Sequence, residues 1–157
     1  MMKEIYSLNP FQLDETDFQI LQILKENAKV GTKEIASRIG LTVTPTFERI
    51  RRMEKRGVIT GYTTLIDPVA IGKELMVFCQ VSLKTHNTEL LEVFETHVLQ
   101  LSEVSNVYHV AGNYDYLLQV EVSGMNQYQL FLKEKLAAIP NIANVQSTFV
   151  LSSLKMS

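Results

Sequence analysis

The segment between residues 32 and 59 constrains the fold more than any other part of the chain. It holds two short helical patterns separated by one glycine: the first runs from about Thr32 to Gly40, and the second ends at Gly57. A glycine just past a helix end accepts the left-handed backbone that reverses the chain tightly. Two short helices joined this closely predict a helix-turn-helix.

A further helix is predicted to precede this pair. Asp14 is a plausible N-cap, and Asp17 falls in the first turn, where a carboxylate favours the positive end of the helix dipole. Ile20, Leu21 and Leu24 then share one face at helical spacing. The sequence therefore predicts three N-terminal helices.

Two starts are open for the third helix. If Thr44 is the N-cap, Pro45 takes the first helical position, which proline favours; if Thr42 is the cap, Pro45 still lies in the first turn. After Gly57, residues 58–59 and 62–66 are rich in β-formers and are split by Gly61. They predict a short β-hairpin, or wing.

The third helix places its arginines apart from its apolar residues. Thr46, Phe47, Ile50 and Met53 are assigned to one side, and Arg49, Arg52 and Arg56 follow i, i+3, i+7 spacing on the other. Arginine binds phosphate or the guanine edge with two hydrogen bonds. Such a basic face is often only a solvated surface, but with the preceding helix, the turn and the wing it favours DNA binding.

Within this helix, the first residues are expected to lie deepest in the major groove. Arg56, at the far end, is expected at a phosphate. Glu48 has two interpretations, acceptance from cytosine N4 or a local pair with Arg52 at i+4. The predicted DNA-binding set is Lys33, Thr42, Val43, Thr44, Pro45, Glu48, Arg49, Arg52 and Arg56.

The charge distribution supports that expectation although the net charge is −2. Residues 1–28 have net charge −3, residues 29–66 have +5 and residues 67–157 have −4. Affinity for DNA depends on such local positive potential. Double-stranded DNA is therefore the expected partner of one segment only.

The second half of the chain alternates between strand and helix patterns. Strands are predicted at 75–84, 104–111, 116–122 and 145–154, and helices at 87–101 and 126–139. The order βαββαβ is ferredoxin-like, which makes the whole chain α+β. The predicted domains are an arm (1–12), a winged helix-turn-helix (13–66), a linker (67–74) and the βαββαβ domain (75–157).

Several motifs together resemble the Lrp/AsnC family, the leucine- and asparagine-responsive feast/famine regulators. The resemblance covers about residues 13–155, and its order and spacing are specific. In the first half it rests on Leu13-Asp14, Asp17, Ile20-Leu21, Glu34-Ile35-Ala36, Gly40-Leu41-Thr42, Glu48 to Glu54, Gly57-Val58-Ile59 and Gly61-Tyr62. In the second half it rests on Val110 to Leu118, Thr148 to Leu151 and Lys155.

The resemblance implies a homo-oligomeric transcription regulator with a RAM, ACT-like C-terminal domain. In that family the βαββαβ units pair into dimers, dimers often assemble into octamers as tetramers of dimers, and amino acids bind where dimers meet. It implies an effector site at the turn of Gly112, Asn113, Tyr114 and Asp115. Asp115 could hold an α-ammonium group there; without the family, the same turn is most simply an ordinary hairpin.

The chain departs from the family pattern in three places. Asn113 replaces the usual aspartate, which removes one negative charge from the expected effector site. Thr46 replaces a branched apolar residue, and Thr42 replaces serine.

Other classes of protein find little support. His86, His97 and His109 lack metal-ligand spacing, and no nucleophile elbow or phosphate loop occurs, so neither an enzyme nor a metal or other cofactor is expected. The single cysteine, Cys79, and the lack of a spanning apolar run favour a cytoplasmic protein without membrane contact. The rival hypotheses are a βαββαβ sensor that binds a protein and a small ligand-binding enzyme.

Overall fold

A computed structural model describes residues 12–154 of the chain. It divides into two compact units, one ending at Leu65 and the other beginning at Ile66. The predicted arm lies almost entirely outside the described residues, as does Lys155.

The first unit consists of three helices around a small apolar core. Helix α1 spans Glu15–Glu26, α2 spans Thr32–Ile39 and α3 spans Val43–Lys55. Ile20, Ile35, Ile50 and Met53, which come from all three helices, are buried together. The predicted N-cap of α1 is confirmed, because the Asp14 carboxylate accepts from the Asp17 N–H at 2.9 Å.

The turn between α2 and α3 forms as the glycine pattern predicts. Gly40 adopts the left-handed conformation (φ 71°), and the Leu41 N–H donates to the Ala36 carbonyl at 2.9 Å. Of the two possible starts for α3, the N-cap position belongs to Thr42. The buried Thr46 hydroxyl donates to the Thr42 carbonyl at 2.9 Å, so this polar residue is satisfied at a position where the resemblance leads one to expect an apolar residue.

The predicted β-hairpin after α3 is wrong. The N–H groups of Val58 and Ile59 both donate to the Met53 carbonyl, at 2.9 and 3.2 Å, so they close the end of α3 instead of starting a strand. Residues 60–66 follow with no strand assigned. The Tyr62 hydroxyl donates to Glu54 Oε1 at 2.8 Å, which ties this segment to α3.

The second unit has the predicted βαββαβ order. Its strands are β1 (Leu75–Leu83), β2 (Val104–His109), β3 (Tyr116–Val122) and β4 (Ile142–Phe149), all antiparallel in the order β2-β3-β1-β4. Helix α4 spans Thr88–Val98; α5 spans Met125–Leu130 and continues as a π-helical turn over Phe131–Leu136. This arrangement confirms the ferredoxin-like prediction.

Both helices pack on one face of this sheet. Strands β1 and β3 alternate strictly, and their buried positions contact α4 and α5 through Phe94, Val98, Tyr128, Phe131 and Leu136. The alternate positions, which include Met76, Phe78 and Leu117, are only half-buried. The sheet therefore has one face in the core and a second face with apolar residues among polar ones.

The last strand was predicted too late in the chain. The prediction was 145–154, whereas β4 pairs with β1 from Leu83↔Ile142 to Val77↔Phe149. The Val150 N–H still donates to the Met76 carbonyl of β1 at 3.0 Å, and residues 151–154 follow with no strand assigned, so the end of the predicted segment is not part of β4. No helix among the described residues has both the length and the apolar character that crossing a membrane requires.

Candidate functional site

The outward face of α3 is defined by the residues that it buries. Thr46, Ile50 and Met53 point into the core. Since each residue turns the helix by about 100°, the opposite face consists of Thr44, Glu48, Arg51 and Lys55, all exposed. Two of these four side chains are cationic, as a surface that approaches phosphates requires.

Arg49 and Arg52 project from the flank of α3 onto the start of α1. Arg49 Nη1 donates to Asp14 Oδ2 at 2.6 Å and to Asp17 Oδ1 at 2.7 Å. Arg52 Nη2 donates to both Asp17 oxygens, at 3.2 and 3.0 Å. We call these four residues the α1–α3 ion cluster.

Asp17 is the centre of the cluster, because its side chain is fully buried. A buried carboxylate is tolerated only when cations and hydrogen-bond donors surround it. Besides the two arginines, it accepts the Asp14 N–H at 3.2 Å. The outer carboxylate, Asp14, has its pKa lowered by the Asp17 N–H and by the Arg49 guanidinium, so it stays ionised.

The position of the arginines therefore corrects the sequence analysis. Arg49 and Arg52 do not lie opposite the core but beside it, where α1 meets α3. Phe47, assigned to the apolar side, is 50% exposed. Arg51 and Lys55 were missed. A helical wheel centred on Thr46, Ile50 and Met53 places both of them on the outward face.

The other predicted DNA-binding residues remain at or near the surface. Thr42, Val43, Thr44, Glu48 and Arg56 are exposed, and Pro45 is half-buried in the first turn of α3. Lys33 is exposed in the first turn of α2. The structure thus brings most of the predicted set onto one helix, with Lys33 on the preceding one.

The second predicted site is the turn between β2 and β3. Gly112 has φ 149°, a conformation that side-chain-bearing residues rarely adopt, and open space lies where a Cβ would be. Asn113 is exposed, and Tyr114 and Asp115 are half-buried. The four residues thus form one turn with room beside its glycine.

Asp115 links this turn to the end of β1. Its Oδ2 accepts the Leu83 N–H at 2.7 Å, and its Oδ1 contacts His86 Nε2 at 2.8 Å. Its own N–H donates to the Val81 carbonyl at 2.9 Å. The Leu83 N–H, followed by His86, lowers the pKa of Asp115. Sequence reasoning did not foresee His86, which is 29 residues distant.

An aromatic pair adjoins the same turn. The His109 ring stacks on Tyr116 with 4.6 Å between centroids, and the Tyr116 hydroxyl donates to Glu95 Oε1 at 2.7 Å. Burial and the Glu95 carboxylate raise the pKa of Tyr116. The phenol therefore stays neutral and holds α4 against β3.

Asp115 accepts one bond at each oxygen, and a carboxylate oxygen has room for a second donor such as an ammonium group.

Comparisons with known proteins match both units. Residues 13–60 match a family of winged helix-turn-helix DNA-binding domains, and residues 76–157 match the Lrp/AsnC ligand binding domain. The leucine-responsive regulatory protein of Escherichia coli K12 is 34% identical over 145 residues, which is 92% of this chain and 88% of that protein.

Solved structures agree over the same length. A transcriptional regulator of Neisseria meningitidis in complex with L-methionine is 31% identical, with a TM-score of 0.89 over 93% of this chain and 94% of its own. An AsnC family regulator of Agrobacterium tumefaciens is 34% identical, with a TM-score of 0.88 over 92% and 94%. These relatives are transcriptional regulators, not enzymes.

Proposed function

Since the chain belongs to the Lrp/AsnC family of transcriptional regulators, we propose that α3 reads double-stranded DNA through its outward face and that an amino acid bound at the β2–β3 turn regulates this binding. The observation that carries the proposal is the arrangement of α3. One side is fixed by the core and the ion cluster, while Thr44, Glu48, Arg51 and Lys55 are presented outward.

The predicted DNA contacts divide between base edges and phosphates. Thr44 and Glu48, in the first half of α3, are placed to reach base edges, and Arg51 to reach a guanine edge or a phosphate. Lys33, Lys55 and Arg56 are candidates for phosphates. Arg49 and Arg52 remain candidates too, because their side chains are 26% and 42% exposed beside the outward face.

We propose that two copies of the chain pair through the second face of the β-sheet. That face has Phe78 and Leu117 at its centre and the 49% exposed Tyr108 on β2. A sheet needs a second apolar layer to bury such residues, and another copy of the same sheet supplies one. A two-fold dimer would read two half-sites of a roughly palindromic sequence. An octamer of four dimers is the larger assembly that the resemblance implies.

The amino-acid class of the effector is supported by the L-methionine complex of the Neisseria regulator. In this chain, Asp115 offers a carboxylate to an α-ammonium group, and the N–H groups of a glycine turn suit an α-carboxylate. Gly112, Asn113 and Tyr114 complete the proposed site. We propose no metal or other cofactor, and we place the protein in the cytoplasm with the DNA.

DNA binding is tested by fluorescence anisotropy with a labelled fragment selected from random sequence. We expect binding whose logarithm of affinity falls linearly with the logarithm of salt concentration. Arg51→Ala should lower the affinity and leave the oligomer unchanged in size-exclusion chromatography. Absence of binding at low salt, or binding that ignores salt, would refute the DNA proposal and favour a protein partner.

Effector binding is tested by thermal shift with each of the twenty amino acids. A ligand that binds only the native state stabilises it by about 2.7 kcal/mol at one hundred times its Kd. The same amino acid should change DNA affinity, because an effector acts only by binding one state better than another. If no amino acid raises the melting temperature, the proposed effector class is wrong.

A further inference from the structure

Two apolar side chains of α3 are exposed on the half of the helix that enters the groove. Val43 is 46% exposed and Phe47 is 50% exposed. They are four residues apart and therefore adjacent on the helix surface. The buried core of this unit consists of Ile20, Ile35, Ile50 and Met53, and Phe47 is not among the residues packed against it.

These two side chains lie beside the polar reading positions. Thr44, Phe47, Glu48 and Arg51 follow i, i+3, i+4, i+7 spacing, so they form one continuous strip along α3. Both polar and apolar side chains of a reading helix contact base edges in the major groove. The strip thus offers an apolar patch between a hydroxyl and a guanidinium.

The major groove has one apolar group that such a patch can recognise. Thymine presents its 5-methyl group there, whereas the other bases present hydrogen-bond donors and acceptors. We propose that Val43 and Phe47 are specificity-determining residues that pack against thymine methyl groups in each half-site. This inference rests on the proposed role of α3 as the reading helix, and it adds which bases that helix prefers.

The surroundings of the patch favour DNA as its occupant over another protein. Residues 29–66 have net charge +5, whereas the rest of the chain is acidic. Arg51 and Lys55 are exposed on the adjoining outward face of the same helix. DNA matches both the positive charge and the apolar patch, because it is a polyanion that presents methyl groups in its major groove.

The experiment removes the methyl group from the DNA and the ring from the protein. Each thymine of the selected site is replaced in turn by deoxyuridine, which lacks only the 5-methyl group, and affinity is measured at fixed salt. At one or two positions in each half-site we expect an affinity loss of about three- to fivefold, the value of one buried methyl group. Phe47→Ala should weaken binding to the thymine site and show no further loss on deoxyuridine at the position that Phe47 contacts.

Phe18→Ala is the matched control, because Phe18 lies on α1 and is 59% exposed. It should keep both the affinity and the deoxyuridine effect of the wild type. Phe47→Leu keeps an apolar side chain and should retain part of the deoxyuridine effect, even if Phe47→Ala proves poorly folded.

Three results would overturn the inference. Wild-type binding could be insensitive to every deoxyuridine, or Phe47→Ala could keep the full deoxyuridine effect at every position. Phe47→Ala could also dissociate the oligomer, which would make Phe47 a contact between copies. If the wild type binds no DNA at any salt, it is the proposed function that fails.

Discussion

Replacing Asp17 by asparagine should loosen the whole helix-turn-helix unit. The substitution keeps the shape of the side chain and one acceptor oxygen but removes the only fully buried carboxylate among the described residues. Arg49 and Arg52 would then face a neutral group at 2.7 and 3.0 Å, and Asp14 alone would balance them.

The size of the expected destabilisation follows from the burial of Asp17. Removing one partner of a fully buried ion pair costs about 3–5 kcal/mol. Here the arginine side chains are 26% and 42% exposed, so water replaces part of the lost interaction, and the asparagine oxygen still accepts one bond. We therefore expect a loss of about 2 kcal/mol in the free energy of unfolding of this unit, roughly 30-fold in its opening equilibrium.

Hydrogen exchange with mass spectrometry is the suitable assay, because it reads the two units of the intact chain separately. Amides of α1 and α3 should lose protection, and those of β1 and β3 should not. Glu34→Gln is the matched control. It makes the same chemical change in the exposed pair of Glu34 with Arg38, and such pairs contribute less than about 1 kcal/mol.

Equal loss of protection in Asp17→Asn and Glu34→Gln would refute this reasoning. Burial would then make no difference to how much a carboxylate contributes to the free energy of unfolding. A loss of protection that extended equally to β1 would also contradict it, since the ion cluster lies within the first unit. Raising the salt concentration should abolish the loss of protection in Glu34→Gln and leave most of the loss in Asp17→Asn, because salt screens buried ion pairs only weakly.

Three further outcomes are expected. Arg51→Ala should reduce the salt slope of DNA binding by about one, whereas Glu134→Gln, in the second unit, should leave it unchanged. The stabilisation from Asp115 exists above the ordinary carboxyl pKa and is lost as pH falls through its lowered pKa, so Asp115→Asn should flatten the pH dependence of the second unit's melting temperature below pH about 4. Burial raises the pKa of the Cys79 thiol, so native protein should react slowly with a thiol reagent and unfolded protein quickly; equal rates would contradict the buried geometry.

Local signals in the sequence predicted the elements well. Asp14 as a cap, Gly40 as a helix end and the extent of β3 each depend on a few neighbouring residues, and each is confirmed. The βαββαβ order followed from the spacing of apolar residues, because strands and helices space them differently even within a short stretch of sequence.

Features that depend on distant residues were not predictable in the same way. Arg49 and Arg52 meet carboxylates 32 to 35 residues away, and no local pattern shows that α1 begins beside α3. The hairpin failed for a related reason: β-forming residues need a partner strand, and the N–H groups of Val58 and Ile59 already bond to Met53. The contact between His86 and Asp115 joins residues that are 29 positions apart, so it likewise leaves no local pattern in the sequence.

The division of α3 into a flank that holds α1 and an outward face that we propose to read DNA gives a rule for redesign. Any chimera must keep Arg49 and Arg52 together with Asp14 and Asp17. Exchanging α3 without α1 would leave the buried carboxylate of Asp17 without its arginine partners. Positions 43, 44, 47, 48 and 51 can vary without disturbing that anchor. A library restricted to those five positions would test new operator sequences on an unchanged scaffold, and the proposed effector site in the second unit would be the same in each variant.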